Sequence, residues 1–96
     1  MKKLYFLYQD VNSGYDTYDS MVVCAKSEDN ARVISPSSNY KFHDGAWYFQ
    51  FAGGTEEKEE YNDFWCDPVQ VKVREIGIAD QSIEENSIIC SSFNPG

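Results

Sequence analysis

The sequence predicts an α+β fold: a single small domain over residues 1–96, with about five strands in a mostly antiparallel sheet and one short helix packed on one face. Three observations carry that prediction. Short β-prone runs separated by turn formers recur along the chain, one stretch alone has a helical face, and the alternation of strand with long helix that a parallel sheet requires is missing. A length of 96 residues suffices for one core and leaves no room for a second domain or an inserted catalytic module.

The first strand is residues 3–9, Lys-Leu-Tyr-Phe-Leu-Tyr-Gln, nearly continuous in apolar character as a strand in the middle of a sheet would be. Residues 10–20 gather Asp, Asn, Ser and Gly without helical period and read as a loop or wide hairpin connection. Strand two follows at residues 21–25. Residues 27–34 read as a short helix: Ser27 caps the open amides, Glu28 and Asp29 suit the positive N-terminal end, and Ala31 and Ile34 share a face. Pro36 ends it, because the residue before proline is pushed out of helical geometry. A third strand is predicted at residues 45–52, where Trp47, Phe49 and Phe51 alternate with Tyr48 and Gln50, and Gly53-Gly54 breaks it. Residues 55–63 form an acidic run read as a solvated surface loop, with a brief polar helix as the alternative. Residues 69–76 give the clearest signal, with Val69, Val71 and Val73 on one face and Gln70, Lys72 and Arg74 on the other. Residues 77–81 turn the chain, and residues 87–93 make the last strand.

Composition excludes several classes of function. Sixteen Asp and Glu stand against eight Lys and Arg, a net charge of −8 with pI near 4.4. Direct nucleic-acid binding is not expected, since it is driven by cation contacts and counterion release. The longest apolar stretches are a handful of residues, where a bilayer span needs about 20. The basic start at Lys2-Lys3 is followed by too short an apolar stretch for a signal peptide, so it reads as a mature intracellular N-terminus. Cys24, Cys66 and Cys90 form no CxxC pair, which points to reduced thiols in a cytoplasmic protein and away from a disulfide frame or zinc. Fifteen aromatic residues argue for a folded chain despite the charge.

No constellation points to catalysis, a metal or a cofactor. The one histidine, His43, reads as an exposed loop residue. A pairing of His43 with a cysteine would choose Cys66, yet Asp67 beside it raises the thiol pKa by repelling the thiolate. Asp10, Asn12, Asp16 and Asp19 invite a calcium reading, but Gly14 stands where an EF-hand loop needs its third ligand, with Tyr15 at the turn. Two segments remain as candidate partner-binding surfaces. Tyr15, Asp16, Tyr18 and Asp19 lie in a loop whose tyrosines offer large amphipathic contact area, unless Tyr15 and Tyr18 simply pack over a sheet edge. Glu56, Glu57, Glu59 and Glu60, with Asp63 and Asp67 nearby, can imitate a nucleic-acid backbone and occupy a basic groove on a partner, with Trp65 as an anchor, unless they merely keep the protein soluble.

Residues 15–32, beginning Tyr-Asp-Thr-Tyr-Asp-Ser, and residues 71–79, with Ile76-Gly77-Ile78-Ala79, followed by the close at Ser92-Phe93-Asn94, resemble a group of small bacteriophage and prophage proteins with a YDxYDS-type opening, an IGxA and an SFN-like tail. The resemblance covers about half the chain and brings no activity with it. It implies a phage-encoded accessory protein made in the bacterial host cytoplasm, and by analogy an inhibitor of a host protein, including defence systems and nucleic-acid-binding factors. The function expected is therefore non-enzymatic binding through an acidic, aromatic-rich surface. Two rivals stand beside it. One is a nucleotide-binding sponge in which aromatics stack a base while Arg32, Lys72 or Arg74 reach phosphates; the other is an assembly protein forming homo-oligomers through sheet edges or exposed aromatics.

Overall fold

The computed structural model describes residues 1–37, 39–59 and 64–95. Among the described residues, seven strands are arranged in two antiparallel sheets, β1 (Lys3–Tyr8), β2 (Thr17–Ala25), β3 (Tyr40–His43), β4 (Ala46–Gln50), β5 (Glu56–Lys58), β6 (Lys72–Ile78) and β7 (Ser87–Asn94). The larger sheet runs β6-β1-β2-β7 and the smaller β3-β4-β5. The α+β character and antiparallel pairing hold; the single five-stranded sheet is corrected to four strands plus three. Helix α1 (Glu28–Arg32) lies against β1, β2 and β6, and no helix among the described residues is long and apolar enough to cross a membrane.

In the four-stranded sheet, register fixes two faces. Leu7 lies opposite Met21 and Val73, and Tyr5 opposite Val23, which itself faces Ile88. These residues point into one core, closed from the other side by Ala31 and Ile34 near the helix, Trp47, Tyr40 and Phe42 from the smaller sheet, and the Trp65-Cys66 segment. The other face carries Arg74, Phe6, Val22 and Cys90 in one cross-strand row and Lys72, Tyr8 and Ser20 with Ser92 in the next.

Helix α1 has the predicted cap, with the Asn30 amide donating to Ser27 Oγ at 3.1 Å. Five residues cannot hold a helix alone. Burial of Ala31 fixes it, and the Arg32 guanidinium donates to the carbonyls of Pro68 and Val71.

Three boundaries move, each for a local reason. β2 begins at Thr17, so residues 17–20 of the predicted loop at residues 10–20 are strand. Its remainder is tied by Gln9, a buried side chain that accepts from the Val11 and Asn12 amides and donates to the Asn12 and Tyr18 carbonyls. The valine alternation starts one residue pair late. Pro68–Gln70 forms a 3-10 turn, which leaves Val69 87% exposed while Val71 is buried. Residues 40–43, of which His43 alone is read as loop in the sequence, and residues 56–58, read within a surface loop, are strands β3 and β5.

Candidate functional site

Tyr18, in the first half of β2, packs its ring against Phe93 of β7 at 4.7 Å and against Phe64 at 6.5 Å. Its backbone amide also donates to the Phe64 carbonyl at 2.8 Å, which ties residues 64–66 to the start of β2. Phe64 lies 4.8 Å from Tyr40, Tyr40 lies 5.3 Å from Phe49, and Phe49 lies 4.9 Å from Phe51. Six rings thus form an unbroken row from β7 to the end of β4, half-buried in the middle and exposed at Phe93 and Phe51.

Carboxylates border this row. Tyr40 donates its hydroxyl to Glu59 Oε2 at 3.3 Å. Glu57 is the cross-strand partner of Phe49, so both stand on the same face of the smaller sheet. Asp19 turns away from the rings, accepting from Asn94 at 2.9 Å on the side of Thr17. The two segments singled out in the sequence are therefore joined, though by residues that sequence reading passed over: Phe64, Tyr40, Phe49 and Phe93.

The remaining candidates take varied positions. Tyr15 is exposed ahead of β2, and Asp16, held at φ +60°, donates its amide to the Asn94 carbonyl. Glu56 faces His43 across the smaller sheet, Glu57 is exposed, and Glu60 and Asp63 lie outside the described residues. Trp65 is corrected: its indole is fully buried in the core and offers no surface to a partner. In this bend Phe64 stays half-buried within the ring row while Trp65 is fully enclosed.

His43 is also corrected from loop to strand. Its ring stacks on Tyr48 at 4.0 Å, Nε2 sits 2.6 Å from Glu56 Oε2, and Nδ1 sits 3.3 Å from Asp44. Partial desolvation disfavours its charged form, but the hydrogen bonds and negative charge of Asp44 and Glu56 outweigh that and raise its pKa above 6.5. Cys66 is buried, and burial first, then the charges of Asp67 and Asp10, push its thiol up to about 12. A protonated, enclosed thiol is a poor nucleophile at neutral pH.

Among the described residues, no group of three or more His, Cys, Asp or Glu side chains is placed to hold a metal ion. The acids of residues 10–19 diverge, Asp10 to Lys72 at 2.9 Å and Asp19 to Asn94.

Two of the three cations named for a nucleotide, Arg32 and Lys72, have other engagements. Arg32 holds backbone carbonyls, and Lys72 pairs with Asp10 and lies 5.8 Å from the Tyr8 ring centre. Tyr8 in turn stacks on Phe6 at 5.3 Å, so its ring is already flanked where a base would lie. A cleft of about 740 Å³ opens between α1, β3 and the start of β7, lined by Ile34, Tyr40, Phe42, Asn86 and Ile88 among others. Neither His43 nor Cys66 lines it.

No protein-family model, curated protein or solved structure matches this chain.

Proposed function

We propose that this chain is a non-enzymatic accessory protein of the bacteriophage type, which binds and inhibits a protein of the bacterial host in its cytoplasm, counter-defence included. The observation that carries this reading is the row of six rings, joined by five ring contacts from Phe93 to Phe51, with Glu57 and Glu59 along it. Aromatic side chains that are already held by neighbours lose little freedom on binding, which is what contact anchors require. A border of carboxylates favours a basic partner surface and speeds encounter through long-range attraction. Tyr15, exposed beside this row in sequence, supplies a further anchor.

The test is retention of host proteins from a bacterial lysate on the immobilised full chain at low and high salt, alongside Glu57→Lys and Tyr15→Ala. The reading expects a specific host protein that is held at low salt, released at high salt, and lost from both variants while their circular dichroism is unchanged. An identical set of retained proteins for wild type and both variants at both salt concentrations would remove it.

A further inference from the structure

Among the described residues, two sheets leave four edge strands, β6 and β7 on the larger, β3 and β5 on the smaller. An edge strand offers unpaired backbone donors and acceptors to any other strand, and proteins commonly guard such edges with charged side chains. Three of the four are guarded here. β6 carries Lys72, Arg74 and Glu75, β3 carries Lys41 and His43, and β5 consists of Glu56, Glu57 and Lys58.

β7 is different. Its eight residues, Ser-Ile-Ile-Cys-Ser-Ser-Phe-Asn, include no charge and no proline, and it is the longest of the four edges. One side is paired along β2 from Cys24 to Thr17. On the other side no strand among the described residues pairs with it, and residues 89–93 are all exposed.

We infer that β7 is a self-pairing edge, along which two copies of this chain join antiparallel into a closed two-fold dimer with one continuous sheet. The edge's own composition selects a second copy as the occupant, because a strand with no charge and no proline is its own antiparallel complement. Each chain carries −8, so two copies repel over most of their surfaces. Along β7 they meet with no like charges opposed and no charge buried unpaired. The guarded edges at β6, β3 and β5 stop further addition, so the assembly ends at two and does not grow into a fibre.

Geometry then constrains the register. A two-fold axis perpendicular to the sheet keeps each face on its own side, so outward residues of β7 meet outward residues of its copy. Cys90 is outward, opposite Val22, whereas Ser91 pairs with inward Met21. Near the strand centre, Cys90 therefore meets either the Cys90 or the Ser92 of the second copy. The two Cys90 residues stand directly opposite or on the neighbouring diagonal, about 4.5–8 Å apart at Cβ. Cys24 and Cys66 are buried, which leaves Cys90 as the exposed thiol.

The test weighs the full chain by light scattering over a wide concentration range and treats it with a short bis-maleimide that joins two nearby thiols. Concentrated wild type should weigh twice 11.0 kDa and cross-link through Cys90, and Cys90→Ser should abolish the cross-link. Ser91→Lys, or Ser92→Lys on the other face of the strand, should raise the dimer dissociation constant by about tenfold or more, as like charges come together across the axis. Val69→Lys, on an exposed turn, should leave the dimer intact. A mass of 11.0 kDa at every concentration overturns the inference. So does a dimer that survives both lysine variants, or assembly that continues past two copies. Loss of the dimer with host binding retained, or the reverse, separates this inference from the function proposed above.

Discussion

At Phe64 and Trp65 the chain places two large rings side by side in sequence but at different depths, Phe64 half-buried and Trp65 enclosed. Trp65 is fully buried among core residues, so Trp65→Ala should cost about 3–5 kcal/mol in urea unfolding. Phe64→Ala should cost less and weaken partner retention instead; equal losses of stability would refute that division. The thiols divide in the same way. A disulfide-exchange reagent should label Cys90 rapidly in the native protein, and Cys24 and Cys66 only after unfolding. His43 gives a pH-dependent case. Its pKa is raised in the fold, so the stabilisation it gives is complete below 6.5 and disappears as pH climbs through the higher folded value. Proton NMR should find the His43 midpoint above 6.5 in wild type and lower in Glu56→Gln. An unchanged midpoint would show that the 2.6 Å contact does not hold the proton.

Element by element, local chemistry made some of this fold readable and left other parts hidden. Ser27, Glu28 and Ala31 marked the helix because capping and burial act within a few residues. The hairpin of β3 and β4 was equally local but went unread. Asp44 and Gly45 both take positive φ, at 51° and 76°, between partners His43 and Ala46, and an Asp-Gly pair between alternating residues is a strong hairpin signal. β5 could not be read, because three charged residues resemble a solvated loop until Phe49 and Gln50 offer them a pairing edge. The candidate site divides likewise. Tyr18 and the acids were legible as types, whereas the row through Phe64 and Tyr40 depends on which way an irregular segment turns. The valine run supplies a test. Val71→Ala, at a buried position, should cost about 2 kcal/mol from the transfer of two methyl groups and the cavity left behind. Val69→Ser, on the exposed turn, should stay within about 0.5 kcal/mol. Matching losses in thermal unfolding would mean that the strand begins at Val69 after all.

Over the whole molecule, the excess of acid acts on folding and on binding in opposite senses. The ion pairs Lys3–Glu75, Lys26–Glu85 and Lys72–Asp10 lie at the surface, where such pairs contribute little and are screened by salt. The net charge of −8 remains as self-repulsion, which a compact chain feels more than an extended one. Adding salt should therefore raise the thermal midpoint of the isolated protein modestly. The same salt should weaken the complex with a basic partner, because there the attraction is what is screened. Measured together, the two responses separate loss of affinity from loss of structure: a complex that dissociates in salt while the melting midpoint climbs is losing electrostatic attraction, not its fold. A midpoint that falls with added salt would mean that the surface pairs outweigh the repulsion, and a salt-released partner could then no longer be attributed to the acidic border of the ring row.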